Sequence, residues 1–364
     1  MEIFTIEQGT NRRLNLIENF ESLIWTERYN VYGDFELYAE TTDDNLTRLK
    51  PGQWLGFDKS DRIMRIQKTF KETTDDGHKR LKVEGKSLES IFMERAAIYT
   101  VATAKNGWTF SGTSIGDCAR MLIDVTCVQG SASSKDVIFG LTSSNYTSGS
   151  AINITIKPGT VYDRLKEICD TGNLGFKITY APQEGVPPQI SGVIIYNAPL
   201  NFIVYQGTDR SDWGSDSVAF SEDSDSLFNT SELMSEENFK NVAYVYSNTQ
   251  STIVDEIDPP SLHPGFTRKV LLVDATDITT TGTTGLNMLI QRGREALTNN
   301  KKLTLVDGKI NPDGIFQYKE HYNLGDIVLI KSNGGTSTQA RVTEYIWTYD
   351  SDGLNGYPTL TAIV

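Results

Sequence analysis

The sequence has few of the residues that build most metal and redox sites. Its 364 residues include three cysteines and three histidines, and no two cysteines form a Cys-x-x-Cys pair. An odd number of cysteines without ligand spacing predicts buried free thiols at Cys118, Cys127 and Cys169, kept reduced in a cytoplasm. No histidine stands in a His-Glu-x-x-His or His-x-His arrangement. The sequence therefore predicts no metal site and no cofactor.

Long apolar runs are also missing. No stretch approaches the roughly 18–20 apolar residues that a membrane helix needs, and the first residues lack a basic segment followed by an apolar one. We therefore expect no membrane insertion and no secretion signal. With 38% hydrophobic residues in a chain of this length, we expect roughly two to four domains with cores of their own.

Motifs that carry nucleotide or calcium chemistry are incomplete. The stretch EGKSLES resembles a phosphate-binding loop, but Arg80 stands where such a loop needs its first glycine. The Asp-Ser-Asp-Gly stretch at 350–353 lacks the closing glutamate of a calcium loop and predicts a β-turn. The sequence predicts a protein that is not an enzyme. A hydrolase on an unfamiliar fold is an alternative that turnover of generic substrates would reveal.

Positive charge is scarce. The 34 lysines and arginines are outnumbered by 47 acidic residues, which gives a net charge of −13. Such a chain is a poor candidate for neutralising a phosphate backbone. The charge suits a surface past which DNA slides without sticking, and it equally suits ordinary solubility. Residues 221–238 carry six carboxylates and no basic side chain, which is typical of a solvated linker or loop.

What the chain does contain is mostly β-strand signal. Near the N-terminus, the stretch DFELYA alternates Phe35, Leu37 and Ala39 with polar residues, which is the period of a half-buried strand. The stretch GTVYDRLKEICDTG predicts a helix with Thr160 as its N-cap and Gly172 as the residue that stops it. A second helix is predicted by GLNMLIQRGREALTNNK. The expected fold class is mainly β with α+β insertions.

One sequence pattern occurs twice in the chain. The stretches LKPGQWLGFD, at 49–58, and HYNLGDIVLI, at 321–330, each place a glycine before a run of β-formers. Three pairs of positions match between the copies: Gly52 and Gly325, Arg65 and Arg341, Gly77 and Gly353. In both copies the second glycine follows the arginine by twelve residues. This spacing indicates an internal duplication, although two β-meanders with glycine turns can also look alike by chance.

The same register extends through the strands that follow. It aligns Ile66 with Val342 and Phe70 with Ile346, on one face of a strand. It also aligns Asp76, together with the glycine after it, with a second Asp-Gly pair. Asp-Gly favours tight hairpins, so the second glycine of each copy is predicted to have a positive φ.

A duplicated β-domain has a geometric use, because three chains that each carry two similar domains can present a sixfold ring. On this interpretation the chain contains two similar small antiparallel β-domains, for which the first stretch suggests a barrel or sandwich, and two smaller α+β domains. The expected boundaries are 1–98 for the first barrel, 99–225 for an α+β insertion, 226–250 with 303–364 for the second barrel, and 251–302 for a small helix-bearing insert.

Three longer stretches resemble the hub family of long-tailed bacteriophages, the siphophages. They are WTERYNVYGDFELYA near the N-terminus, TVYDRLKEICDTGNLGFKI in the middle, and YNLGDIVLI with ARVTEYIWTYDSDG near the C-terminus. That family comprises minor tail proteins with a fold similar to the contractile-phage baseplate hub and to the N-terminal part of tail-associated proteins. The order and spacing of the stretches carry the resemblance, which covers essentially the whole chain.

The resemblance implies two tube-type β-barrels, flanked by smaller α+β domains and assembled as a homotrimer around the tail axis. It implies a structural virion protein at the tail tip, made in the host cytoplasm, that adapts the sixfold tail tube to threefold tip components and lines the DNA exit path. The implied partners are the distal tail protein, the tail tube, the tape measure protein and tip or fibre proteins, while phage DNA passes without specific binding. Longer relatives continue into fibre or lysin modules, so receptor binding and wall degradation are expected on other polypeptides.

A receptor- or carbohydrate-binding β-rich tail module is the alternative function. Tyrosine and tryptophan are plentiful, at 16 and 5 residues, and exposed aromatic platforms would favour sugar binding. Trp54, Trp347 and Phe70 instead fall at alternating strand positions, where packing in a core or between subunits is expected. Tight and specific binding on a glycan array would favour this alternative.

Overall fold

A computed structural model describes residues 1–9, 12–73, 75, 77–101, 107–144, 151–180, 189–190, 193–194, 200–212, 214–255, 265–332 and 334–363. The chain divides into two compact units. Unit 1 contains Met1–Val218, Pro312–Val328 and Arg341–Thr361, and unit 2 contains Ala219–Asn311, Leu329–Ala340 and Ala362–Val364. The described residues are mainly β with helices in both units, as the sequence predicts.

The strands and helices follow in chain order. Up to residue 101 they are β1 (Ile3–Ile6), β2 (Arg13–Leu16), β3 (Phe20–Arg28), β4 (Asp34–Glu40), α1 (Asp43–Arg48), β5 (Trp54–Phe57), β6 (Ile63–Thr73), β7 (Lys79–Ser87) and a 3-10 helix over Leu88–Glu94. Up to residue 212 they are β8 (Trp108–Ser114), α2 (Ile115–Ile123), a π-helical turn over Asp124–Val128, a 3-10 turn over Ser134–Asp136, β9 (Leu141–Ser143), β10 (Ala151–Ile156), α3 (Val161–Gly172), β11 (Gly175–Tyr180), β12 (Gln189–Ile190), β13 (Val193–Ile194) and β14 (Leu200–Tyr205). Beyond it they are β15 (Ala219–Ser221), β16 (Leu227–Ser235), β17 (Val242–Tyr246), β18 (Ser251–Asp255), a 3-10 turn over Gly265–Thr267, β19 (Val270–Asp274), α4 (Gly282–Thr298), β20 (Leu303–Ile310), β21 (Ile327–Lys331), β22 (Ser337–Asp350) and β23 (Gly353–Ala362).

Unit 1 is built on an antiparallel main sheet with the strand order β22-β3-β4-β7-β6-β5-β1-β2, and β23 also pairs with β22. One face of this sheet is apolar because buried residues alternate along the strands, as in β4. Trp25 is fully buried in this core, where its ring centre lies 5.9 Å from that of Phe35 and 5.6 Å from that of Phe57. Aromatic packing therefore fixes the centre of the sheet.

An α+β layer within unit 1 packs against the main sheet. Helices α2 and α3 cover a small sheet in the order β11-β14-β9. Leu122 of α2, Leu165 of α3 and Phe4 of the main sheet belong to one buried cluster. The helix α3 begins as predicted, since the Thr160 hydroxyl accepts the N–H of Asp163 at 3.0 Å. The left-handed residue that ends it is Asn173, with a φ of 51°, rather than the predicted glycine before it.

The cysteines lie where the sequence predicts them. Cys118, Cys127 and Cys169 are buried and free, and the first and third lie on α2 and α3. Burial raises the pKa of both Cys118 and Cys127 to about 11. These thiols therefore stay protonated near neutral pH and act as small apolar groups in the core.

Unit 2 contains a three-stranded sheet and a separate strand pair. Strand β17 lies between antiparallel β18 and parallel β19, and α4 packs on one face through Leu289 and Leu297, against Ala243, Val245 and Val254. Strands β16 and β20 form an antiparallel pair. Strand β15 pairs in parallel with the unit 2 part of β21.

The acidic stretch 221–238 is predicted to be a solvated linker or loop, and for residues 227–235 that prediction is wrong. Leu227–Ser235 forms β16 and pairs with β20 along its length. Most side chains of β16 are exposed. Because a strand pair is held by backbone hydrogen bonds, the stretch becomes a strand without burying its carboxylates.

Two small barrels are expected from the sequence. Within the described residues the sheets are open, and none closes into a barrel. The main sheet ends at β2, where all four residues are exposed. Among the helices that the structure describes, none is long and apolar enough to cross a membrane.

Candidate functional site

The matched glycines Gly52 and Gly325 occupy the same kind of turn, with φ values of +92° and +91°. At the first turn the N–H of Gly52 donates to the carbonyl of Ile66 at 2.8 Å. The N–H of Ile66 donates back to the carbonyl of Gln53 at 2.9 Å. These two bonds tie the entry of β5 to β6. Strands β5, β6 and β7 are called the first meander below.

The second copy makes the same two bonds. The N–H of Gly325 donates to the carbonyl of Val342 at 2.7 Å, and the N–H of Val342 donates to the carbonyl of Asp326 at 2.9 Å. The register read from the sequence aligns Val342 with Ile66. The backbone therefore repeats one hydrogen-bond pattern at matched positions of the two copies. Strands β21, β22 and β23 are called the second meander.

The matched arginines make different contacts. Nη1 of Arg65 lies 2.9 Å from Oε1 of Glu94, which ends the 3-10 helix. Nη1 of Arg341 instead donates to the carbonyl of Gly325 at 2.8 Å, and its guanidinium lies 5.5 Å from the ring centre of Tyr29. Arg65 thus connects the first meander to the 3-10 helix that follows it, whereas Arg341 stabilises the turn at Gly325 in its own meander.

The hairpin glycines have the sign of φ that the sequence predicts, +82° at Gly77 and +101° at Gly353. Asp76, predicted to share the first of these turns, lies outside the described residues. A Cβ atom at either glycine would meet nothing within 4 Å. Any cost of a side chain at these positions must therefore come from the backbone conformation rather than from a clash.

Replacing Gly77 or Gly353 with valine is expected to lower the melting temperature of the protein by a few degrees. A β-branched residue at positive φ costs on the order of 1–2 kcal/mol, and neither site offers a contact that offsets this cost. Gly214→Val is the matched control, since Gly214 is equally open but lacks a positive φ. If all three variants melt together, the hairpin assignment is wrong.

The solvent-facing side of the main sheet carries alternating charges. The register places Glu84 of β7 between Glu36 of β4 and Lys68 of β6. This surface, here called the polar face, comprises Asp34, Glu36, Tyr38 and Glu40 of β4, Arg80, Lys82, Glu84 and Lys86 of β7, and Arg65, Lys68, Phe70 and Glu72 of β6. Five of these residues are acidic and five are basic. The polar face therefore has no net charge, although the chain as a whole is acidic.

Ion pairs join the charges of the polar face. Nζ of Lys82 lies 2.7 Å from Oε1 of Glu84 and 2.9 Å from Oε2 of Glu36. These hydrogen bonds raise the pKa of Lys82, and the one from Lys82 lowers the pKa of Glu84. Nε of Arg80 lies 3.1 Å from Oε2 of Glu72. Four of the five basic side chains of the polar face thus contact a carboxylate, whereas Nζ of Lys86 donates to the hydroxyl of Tyr32 at 3.0 Å.

A buried charged cluster in unit 1 was not predicted from the sequence. Arg62 and Glu89 are 1% and 0% exposed, and Nη1 of Arg62 lies 3.4 Å from Oε1 of Glu89. Oε1 of Glu89 also accepts the N–H of Ile178 on β11 at 2.7 Å. Burial is the largest single influence on the pKa of Arg62 and lowers it, but Glu89, Tyr205, Glu27 and Asp61 together raise it above its ordinary value. Arg62 therefore keeps its charge, and the contacts of Glu89 with Arg62 and with Ile178 fasten the α+β layer to the main sheet.

A second carboxylate extends this cluster. Glu27 of β3 is 1% exposed, and its Oε2 accepts the hydroxyl of Tyr318 at 3.1 Å. Nζ of Lys319 lies 3.7 Å from its Oε1. Tyr318 and Lys319, which precede the second meander, are thereby tied to β3, the strand that pairs with β22 of that meander. The only sequence signal for the cluster is a charge inside an apolar run, such as Glu89 within LESIF.

Groups suited to catalysis do not converge in the described structure. Residues 112–116 have the Gly-x-Ser-x-Gly spacing of a hydrolase nucleophile. Ser114 however caps α2 with an ordinary φ of −63°, and its hydroxyl contacts Asp117 at 2.9 Å. A nucleophile elbow needs a strained turn and a histidine base, and neither is found at this serine. No three metal-binding side chains group together among the described residues.

The sequence matches the Siphovirus ReqiPepy6 Gp37-like protein family over residues 1–360. The chain belongs to this family. The match spans both meanders, the α+β layer and α4, and it confirms the resemblance to siphophage proteins that the sequence motifs indicate. No curated protein sequence matches the chain.

This member of the Gp37-like family has the fold of solved phage tail proteins. The 43 kDa tail protein of prophage MuSo2 from Shewanella oneidensis superposes with a TM-score of 0.57 at 10% identity, covering 99% of this chain and 98% of that one. The tail protein from Neisseria meningitidis MC58 gives 0.56 at 12% identity, covering 99% and 95%. Prophage tail protein gp18 from Listeria monocytogenes EGD-e gives 0.52 at 9% identity, covering 100% and 95%. At these identities the likeness shows a shared fold.

Proposed function

We propose that the protein is a structural component of the phage tail, a homotrimeric hub at the tail tip. It adapts the sixfold tail tube to threefold tip components and lines the DNA exit path. Membership of a siphovirus family and the fold of a tail protein support a place in the tail. The observation that carries the hub role is the repeated hydrogen-bond pattern of the two meanders.

The geometric argument rests on the copies within one chain. A trimer of a chain with two similar β elements places them around the axis in a sixfold arrangement, while the remaining parts keep threefold symmetry. The tube-type domains proposed are 1–98 and 226–250 with 303–364, with α+β parts at 99–225 and 251–302. Since the described sheets are open, ring closure requires neighbouring chains to cover their edges.

The polar face is the surface proposed to line the DNA path. Duplex DNA carries about one negative charge per 1.7 Å of its axis. A wall whose lysines and arginines are paired with carboxylates releases few counterions from DNA and therefore holds it weakly. DNA thus passes without specific binding. The proposed partners are the distal tail protein, the tail tube, the tape measure protein and tip or fibre proteins, all in the virion tail assembled in the host cytoplasm.

Native mass tests the hub proposal directly. At high protein concentration, alone or mixed with tail tube protein, the complex is expected to contain three copies of the 40.5 kDa chain. Native mass spectrometry and light scattering measure this number. A closed dimer, or a monomer under every condition, would contradict the proposal.

A further inference from the structure

The second meander shows where a neighbouring strand belongs. Residues 344–349 of β22 pair with β3, from Glu344 opposite Arg28 to Tyr349 opposite Leu23. The pairing is antiparallel, and each of these β22 residues is buried or half-buried. The hairpin partner of β22 is β23. In the second meander the long strand is therefore covered on both edges by strands of its own chain.

The matched part of the first meander lacks one of these neighbours. The register that aligns Phe70 with Ile346 places Lys68–Thr73 where residues 344–349 stand in the second copy. Within the described residues, Lys68–Thr73 pairs with β7. The pairing between β5 and β6 is limited to Ile63–Arg65 of β6. No strand of the described chain occupies the edge that β3 covers in the second meander.

The side chains of Lys68–Thr73 are also more exposed to solvent than those of residues 344–349. Phe70 is 44% exposed, and Lys68, Lys71 and Thr73 are also exposed. An uncovered strand edge presents unpaired N–H and C=O groups and is a template for pairing with another strand. Since the matched edge of β22 is covered, we infer that the edge of β6 is covered in the assembled protein.

The chain offers one strand that corresponds to β3. Strands β3 and β4 form an antiparallel pair that precedes the first meander in the sequence. The pair that precedes the second meander in the same order is β16 and β20, so β16 corresponds to β3. Both pairs contain an irregularity near the start of the first strand. Within the described residues β16 pairs with β20 alone, which leaves its other edge uncovered.

The side chains of β16 fit an interface with β6. Phe228, Leu233 and Met234 are 43%, 50% and 70% exposed. Large apolar side chains that remain exposed are typical of a surface that a partner covers. Strand β16 carries one charged side chain, Glu232, whereas the edge of β6 carries Lys68 and Lys71 beside Glu72. The two strands are thus complementary in the hydrogen bonds they lack, and the one excess positive charge at the edge of β6 suits the single carboxylate of β16.

We propose that β16 of one copy of this chain adds to the Lys68–Thr73 edge of β6 in the next copy, antiparallel to it. The inference rests on the proposed trimer and names the surface that closes it. The intermolecular pair repeats the contact that β3 and β22 make within one chain. Each chain then uses one such contact internally and one with its neighbour, so three chains close a ring with alternating internal and external joints.

Paired cysteines test this contact in the full chain. Phe70→Cys is combined with Glu232→Cys or with Leu233→Cys, because adjacent strand residues point to opposite faces and one of the two shares the face of Phe70. Oxidation under conditions where the trimer forms is expected to yield covalent dimers and trimers on a non-reducing gel. The three native cysteines are buried and contribute no background.

Two controls set the scale. Ile24→Cys with Thr348→Cys joins residues that are opposite each other in one chain and is expected to form a disulfide with the mobility of a monomer. Ile346→Cys with the same β16 cysteine is expected to give at least tenfold less covalent trimer, because β3 already covers the matched edge. Mixing Phe70→Cys chains with Leu233→Cys or Glu232→Cys chains restricts any product to bonds between copies.

The outcomes separate this inference from the hub proposal. A trimer in which the Phe70 pairs crosslink no more than the Ile346 pairs overturns the strand contact and leaves the hub standing. Disulfides confined to single chains show that β16 covers its own β6 and also overturn it. A monomer under every condition overturns both proposals.

Discussion

Replacing Glu89 with glutamine is expected to lower the free energy of unfolding by about 3–5 kcal/mol, the usual cost of removing one partner from a buried ion pair. Glutamine keeps an oxygen that can accept the N–H of Ile178, so the change removes little besides the charge. The guanidinium of Arg62, 1% exposed, then remains buried without its closest carboxylate. Urea unfolding followed by circular dichroism measures the loss.

An exposed ion pair provides the comparison. Asp277 and Arg292 of unit 2 lie 2.8 Å apart, with side chains that are 64% and 39% exposed. Asp277→Asn is expected to lower the free energy of unfolding far less than Glu89→Gln does, because solvent screens an exposed ion pair. The double variant Arg62→Met with Glu89→Gln should recover much of the loss, since an uncharged pair carries no uncompensated charge. Equal effects of the buried and exposed variants would contradict the role assigned to the cluster.

Reversing charge on the polar face is expected to create DNA binding. The native protein should bind duplex DNA more weakly than micromolar at physiological salt, because most basic side chains of the polar face contact carboxylates. In the variant Glu36→Lys with Glu84→Lys, both partners of Lys82 become cations. Affinity should rise at least tenfold and fall steeply with salt, as phosphate contacts release counterions. Fluorescence anisotropy over a salt series measures both quantities.

A matched control separates the place of the charge from its amount. Asp223→Lys with Glu237→Lys changes the net charge equally but lies in the acidic stretch of unit 2, outside the polar face. This variant should bind DNA no better than the native chain. Equal binding by the two variants would show that net charge alone decides. Micromolar binding by the native protein would rule out a passive DNA path.

The turns were predictable because their causes are local. A glycine before a run of β-formers fixes a backbone conformation within a few residues, and Gly52 and Gly325 have nearly equal φ values. The N-cap at Thr160 is likewise set by its own side chain and one nearby N–H. Such signals survive in a single sequence because no distant residue is needed to complete them.

Features that depend on distant partners were missed. Strand β16 is rich in polar residues and lacks a period of two, so only its pairing with the distant β20 makes it a strand. The charges of Arg62 and Glu89 look like ordinary surface charges until the α+β layer covers them. The contacts of Arg65 and Arg341 differ because Glu94 and Tyr29, which differ between the copies, decide them.

Residues 236–302 of unit 2, here called the α4 module, lie at a position that has a consequence for exchange between phages. The module lies between β16 and β20, and Ser235, the last residue of β16, pairs with Leu303, the first residue of β20. Its two ends therefore meet at one rung of a strand ladder. A cassette whose ends meet can be swapped for another of different length without stretching the strands that carry it. Recombination at this rung can change the exposed surface of the module while the strand pair that carries it stays unchanged.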